Sequence, residues 1–398
     1  MAEIGLYIHV PFCLRRCAYC DFNTYAGLLP LRPAYVAALE QEAALWAEQH
    51  PGLKAITLYF GGGTPSLLKP EQVARLIAAA RALFALPPDA EVTLEANPGT
   101  VTEASLYALR AAGVNRLSLG VQSDDDSELQ RLGRVHTWAQ SAAAVAAARR
   151  AGFDNLSLDL LFGLPQQTLA RWEETVARTL TLEPEHLSLY ALTLEPETPL
   201  AQQIASGALP APDPDLAADM YELASERLLA AGFWHYELSN WAKGLTPAPD
   251  VWALPPGGVS EGIGPWVAHH NLIYWRTQRW LGLGAGAHSW LGERRGCNLF
   301  HPEAYIAALH GGNSIEVEGE EISGKLEMGE TMMMGLRLAE GVTNAAFRTR
   351  FGVGLEDGYR SVLDRFSALG LLSWDGARVR LTAQGRLLGN QVFAEFLL

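Results

Sequence analysis

Cysteine is scarce in this 398-residue chain, with four residues in all. That excludes a disulfide scaffold and fits a reducing compartment. Basic residues are the minority charge, 30 Lys and Arg against 44 Asp and Glu, for a formal net charge of −14. A nucleic-acid groove needs clustered Lys and Arg and is not expected; a basic partner is permitted. No apolar run is long enough to span a membrane. A strand pattern begins at Leu6, so neither a signal nor a transit peptide is expected at the start, and the cytoplasm is the expected location. What the chain has in quantity is apolar side chain, 49% of residues, enough for a large domain and a smaller one.

Three of the four cysteines stand together in Tyr7-Ile8-His9-Val10-Pro11-Phe12-Cys13-Leu14-Arg15-Arg16-Cys17-Ala18-Tyr19-Cys20-Asp21-Phe22. The spacing is C-x3-C-x2-C, in a loop after an apolar run. Three thiolates this close in sequence can grip one face of a cubane iron–sulfur cluster, whose usual ligands are Cys thiolates. Three ligands for four irons leave one iron open, as a catalytic zinc keeps one position free. Zinc and buried structural thiols are the alternatives. Zinc would need a fourth ligand, and His9, on the preceding strand, is poorly placed to supply it.

The cysteine spacing, with an aromatic just before the last Cys, resembles the radical S-adenosylmethionine (SAM) superfamily. The wording Y-I-H-V-P-F-C…C-x-Y-C-D-F resembles its oxygen-independent coproporphyrinogen III oxidase group, and within that the heme chaperone branch. The resemblance implies a [4Fe-4S] cluster on Cys13, Cys17 and Cys20. Its open iron would chelate the amino and carboxylate groups of SAM.

Apolar runs alternate with helical patterns along the first half. Strands are expected at Leu6–Val10, Ala55–Phe60, Glu91–Glu95, Arg116–Gly120, Asn155–Leu160 and His186–Tyr190. Helices are expected over Tyr35–Glu48, Pro70–Leu83, Thr102–Ala112, Ser141–Ala151 and Leu169–Leu180. Repeated strand–helix units predict a parallel sheet, here a partial (β/α)6 barrel of radical SAM type. Ligand sites in such folds gather at the C-terminal strand ends. Those ends carry Gly61-Gly62-Gly63-Thr64, whose backbone can approach a ligand closely, then Glu95-Ala96-Asn97, Gln122 and Asp159. An Asp inside an apolar run is costly without a partner. Arg134 follows in Gly133-Arg134-Val135-His136, and a guanidinium suits a carboxylate. By the resemblance, Tyr7, Gly63, Thr64, Glu95, Gln122, Arg134 and Asp159 contact SAM. One departure follows Ser123: relatives usually carry an aromatic there, and this chain has Asp124-Asp125-Asp126. That puts the packing above the nucleotide in question.

Three regions are expected: a radical SAM core over 1–240, an extension over 241–317 and a C-terminal domain over 318–398. Within the extension, Gly244 to Val267 is rich in Pro and Gly and reads as an irregular insertion. His269-His270-Asn271-Leu272-Ile273-Tyr274-Trp275 comes next. Its H-N-x-x-Y-W form resembles the heme chaperone branch, which implies His270 as a heme iron ligand, with His269 the second candidate. The other reading is an edge strand with a solvated His and core aromatics. The Gly- and Ala-rich stretch Trp280–Ser289 would suit close backbone approach to a flat ligand. Cys297 stands alone and is left out of the site. Helix, hairpin at Asp375-Gly376 and final helix over about 383–396 suggest a small α+β winged-helix-like domain. Met332, Met333 and Met334 are expected to fill its core.

Two activities share these ligands. One is a chaperone that binds heme, the cluster and SAM and delivers heme to respiratory hemoproteins, with peripheral membrane contact. The other is coproporphyrinogen III dehydrogenase, a radical decarboxylase of heme synthesis. A heme-opening radical SAM methyltransferase is a weaker third. Asp21-Phe22 after Cys20 favours the first, because the oxidase branch places a further Cys two residues on. The H-N-x-x-Y-W motif favours it too.

Overall fold

The computed structural model describes residues 2–244 and 264–397. The chain forms two compact units, each made of two stretches. The first comprises Met1–Arg227 with Arg279–Glu320, and the second Leu228–Gln278 with Glu321–Leu398. The expected middle region 241–317 is thus no unit of its own, because its two ends belong to different cores. The expected insertion at 244–267 lies almost wholly outside the described residues.

The first unit is built on six parallel strands: β1 (Glu3–Val10), β2 (Lys54–Gly62), β3 (Glu91–Ala96), β4 (Arg116–Gln122), β5 (Leu156–Phe162) and β6 (His186–Ala191). They lie side by side in chain order. The helices between them are α1 (Arg32–Gln49), α2 (Pro70–Phe84), α3 (Glu103–Ala112), α4 (Asp126–Arg131), α5 (Trp138–Arg150) and α6 (Leu169–Leu180). Thr102, Thr137 and Thr168 cap three of them by accepting from a first-turn amide. Such strands are buried on both faces, hence the near-continuous apolar run of β1.

The stretch after 279 corrects one expectation. Trp280–Leu283 is β7, which pairs parallel with β1 on its free side. The antiparallel strands β8 (His288–Trp290) and β9 (Arg294–Asn298) extend the sheet. The glycines here admit protein rather than a flat ligand. A Cβ on Gly284, at φ +104°, would lie 2.5 Å from the Tyr35 hydroxyl and 2.8 Å from the His9 carbonyl oxygen. Glu42 of α1 completes this junction. It is buried and accepts from Gly284 N (2.8 Å), Asn298 Nδ2 (2.7 Å) and Tyr305 Oη (2.5 Å). Burial nevertheless pushes its carboxyl up to about 7.

The second unit has a core of Met332, Leu336, Phe347, Leu363, Phe366, Val379 and Phe393 among others. Val342–Thr343, Arg378–Leu381 and Leu372–Trp374 form a three-stranded antiparallel sheet in that order. Asp375 closes the expected tight turn by accepting from Ala377 N and Arg378 N. The expected final helix breaks in two at Leu388, giving Ala383–Leu387 and Gly389–Ala394. No described helix is long and apolar enough to cross a membrane.

Candidate cluster and cofactor site

The cysteine loop leaves β1 at Pro11 and is tied down along its length. Phe12–Cys13 pairs parallel with Tyr25–Ala26. Ala18 N donates to Leu132 O and Ala18 O accepts from Leu200 N, both at 2.9 Å. Tyr19, the aromatic before the last Cys, packs on Leu132, Leu161 and Leu164. His9 is committed elsewhere: its Nδ1 meets Tyr7 Oη at 3.0 Å and its Nε2 meets Asn23 O at 2.9 Å. Asn23 Nδ2 in turn donates to Ala285 O and Phe300 O. The loop is therefore held at entry, middle and exit by backbone groups that strand pairing leaves over.

Cys13 is buried, and Cys17 and Cys20 are half-buried. Burial pushes the Cys13 and Cys20 thiols up. Among the described residues no three His, Cys, Asp or Glu side chains converge on a single-ion site. A cubane asks for a different arrangement, one thiolate per iron corner. Several observations fit such a group. The buried Thr24 side chain lies beside both Cys13 and Cys20, and its hydroxyl favours both thiolates. Thr64 Oγ1 and Arg134 Nη1 likewise face Cys13 Sγ at 3.6 Å and Cys17 Sγ at 3.3 Å. Gly63 packs its turn directly against the loop, since a Cβ would lie 2.7 Å from Phe12 O and 3.0 Å from Cys13 Sγ.

Of the residues predicted to contact SAM, Gly63, Thr64 and Arg134 lie against this loop, and the others sit on the strands. A hollow beside Cys17 is lined by Thr64, Asn97, Thr100 and Gly133, among others. Glu95 accepts from Tyr59 Oη (2.7 Å) and from Gly62 N (3.1 Å). Burial is the main reason its carboxyl is pushed up to about 7. Asp159 accepts from Ser118 Oγ at 3.0 and 3.1 Å, and burial raises it as well. Gln122 sits in the left-handed region (φ +69°) at a bulge in the β4–β5 register. Tyr7 stacks on Tyr59 at 6.1 Å between ring centroids.

Arg134 turns toward the cluster loop, with Nη1 3.3 Å from Cys17 Sγ and Nη2 2.7 Å from Gly120 O. Burial opposes its charge, and the neighbouring Tyr19 and Cys17 more than offset that, so its value stays above the ordinary arginine range. Its buried Nε has no partner.

Several side chains here escaped the sequence reading. Arg116 of β4 is buried and its charge eases ionisation of Glu95 and Asp159. It opens its strand directly after Asn115 rather than breaking an apolar run, so no local signal marked it. His136 bridges Asn97 Oδ1 (2.9 Å) and Val121 O (3.1 Å). Burial lowers it to about 4, so the ring is neutral near pH 7. The aspartate run is resolved by packing. The Asp124 carboxylate is wholly buried and is met by Arg171 (2.5 Å), Arg178 (2.7 Å) and Thr175 Oγ1 (2.5 Å) of α6. Asp125 caps α4. Where the resemblance led to the expectation of an aromatic, this chain has an ion-paired peg.

In the second unit, His269–Trp275 is a helix, not an edge strand. Its aromatic and apolar positions recur at helical spacing, a period that seven residues showed too briefly to read. His270 is buried, with Nε2 3.0 Å from Tyr274 Oη one turn on. His269 is half-buried. Trp275 carries the Arg337 guanidinium over its ring at 4.9 Å.

The parallel strand–helix sheet and the three-cysteine loop at its C-terminal rim define a radical SAM-type protein. The superfamily pattern, described as Radical SAM superfamily, matches residues 7–179, and the HemN C-terminal domain pattern matches 322–388. The chain is 37% identical over 394 residues to the heme chaperone HemW of Bacillus subtilis, covering 98% of both. It is 39% identical to that of Mycobacterium tuberculosis strain H37Rv, covering 99% of this chain and 94% of the relative. The chain belongs to the HemW family of the radical SAM superfamily. SAM and [4Fe-4S] binding are typical of that superfamily. The solved structure of coproporphyrinogen III oxidase (HemN) from Escherichia coli shares the fold. Its TM-score is 0.82 at 24% identity, covering 99% of this chain and 90% of that one.

Proposed function

We propose that this chain is a heme chaperone that holds heme, a [4Fe-4S] cluster and SAM and passes heme to respiratory hemoproteins at the membrane surface. The carrying observation is similarity to named heme chaperones along essentially the whole chain, joined to Asp21-Phe22 after the last cluster cysteine. Cys13, Cys17 and Cys20 would hold the cluster. The SAM amino group would be taken by Glu95 and the Gly61–Gly63 backbone, its carboxylate by the unpartnered Nε of Arg134, and its ribose by Asp159 and Gln122. Tyr7 and Thr64 would close the pocket. When bound, the cluster supplies one electron to SAM. The protein's own part is to orient SAM and exclude water.

His270 is the proposed heme ligand, with His269 the alternative. Ligation through His270 Nε2 requires its bond to Tyr274 to open. In this reading the six-strand sheet is a partial barrel, and the second unit's sheet and helices form a winged-helix-like scaffold.

The test uses the anaerobically reconstituted chain. Stoichiometric heme binding that weakens in His270→Ala, with no protoporphyrinogen formed from coproporphyrinogen III, SAM and reductant, is the expected result. Turnover to protoporphyrinogen would make the chain a coproporphyrinogen dehydrogenase instead.

A further inference from the structure

The cysteine sulfurs are met by donors that cofactor binding alone does not account for. Arg134 Nη1 donates to Cys17 Sγ across 3.3 Å, and Nη2 is fixed on Gly120 O at 2.7 Å. Two glycines permit this approach. A Cβ on Gly120 would lie 2.9 Å from Arg134 Nη2. Gly133, at φ +75°, brings its turn so close that a Cβ would lie 3.2 Å from Ala18 N and 3.5 Å from Cys17 Cα. On the other side of the loop, Thr64 Oγ1 donates to Cys13 Sγ at 3.6 Å. Thr24 is buried beside Cys13 and Cys20, and its hydroxyl favours both thiolates.

We propose that Arg134, Thr64 and Thr24 donate hydrogen bonds to the cysteine sulfurs and so set the reduction potential of a [4Fe-4S] cluster on Cys13, Cys17 and Cys20. Reduction adds negative charge to the cluster and its thiolates. Donors and a fixed positive charge at the sulfurs stabilise the reduced form more than the oxidised form, which raises the potential. Arg134 has the largest effect because its bond is charge-assisted. This inference rests on the cluster reading above and gives Arg134 a task separate from holding the SAM carboxylate.

The test is a potentiometric titration of the reconstituted full chain without SAM, reduced by dithionite and followed by electron paramagnetic resonance. Arg134→Met is expected to shift the midpoint furthest negative, with Arg134→Lys between it and the wild type. Thr64→Val shifts it less, and Thr64→Ser restores it. If Arg134→Met fails to hold a cluster, Arg134→Lys and the Thr64 pair decide. Potentials equal to wild type across these variants would overturn the proposal. Weakened SAM binding at an unchanged potential would likewise overturn it while leaving the SAM assignment standing. A wild-type chain with no [4Fe-4S] signal would overturn the cluster reading itself.

Discussion

The cysteine loop and the His269–Trp275 helix are both short motifs that stand out in the sequence, yet the fold treats them differently. The loop's thiols face hydrogen-bond donors, and neighbouring elements pin its backbone at several points. His270 instead points inward and meets Tyr274. In the proposed reading, the loop is preorganised for a cluster, and the helix must give up a bond to receive heme. Preorganisation lowers the cost of binding, so cluster binding should be stiff and heme binding adjustable.

The sharpest way to break that contrast is at the ligands. Replacing any one of Cys13, Cys17 or Cys20 by Ser is expected to abolish [4Fe-4S] absorbance and acid-labile sulfide, while heme binding persists. Retention of an intact cluster by any of the three variants would contradict the assignment.

Next comes the Asp124 peg behind Gln122. Asp124→Ala leaves a buried void and removes the partner that Arg171 and Arg178 share, although both reach solvent and Arg171 keeps Asp125 and Glu174. It is expected to cost about 2–3 kcal/mol in denaturant unfolding. Asp124→Asn should cost less, since it keeps part of the hydrogen bonding.

Glu42, which joins α1 to the return strands, gives a pH signature. Its folded value of about 7 lies above the ordinary 4.5. Its contribution is therefore intact below about 4.5 and is lost as the pH rises through about 7, by on the order of 3 kcal/mol. Subtracting the Glu42→Gln stability profile from wild type should reveal that slope. Parallel profiles would rule it out.

The smallest effect concerns the adjustable site. Tyr274→Phe removes the hydroxyl at His270 Nε2. It is expected to tighten heme binding by at most about 1 kcal/mol, the net worth of one hydrogen bond, as read in a heme titration. Weaker binding would mean that Tyr274 itself supports the ligand.

The parallel core was legible because its signals are local. Apolar runs mark strands, helical patterns fill the gaps between them, and C-x3-C-x2-C needs no tertiary information. What escaped depends on which strands become neighbours. Nothing local says that Trp280–Leu283 pairs with β1, so its glycines read as a ligand platform when they make room for Tyr35 and His9. Asp124 gave the same difficulty, because its partners Arg171 and Arg178 lie a helix away. The motif helix was too short for its period to separate helix from strand. Arg134 was placed at the site, but its contact with Cys17 depends on the Gly133 turn and on Gly120, which only the packed structure brings together.

The most direct test of the account is electron paramagnetic resonance of the reduced, reconstituted chain with and without SAM. The account predicts a [4Fe-4S]+ signal whose g-values change on adding SAM, because the ligand reaches an iron that no cysteine holds. A cluster signal indifferent to SAM, or a chain that takes up zinc and assembles no cluster, would contradict it.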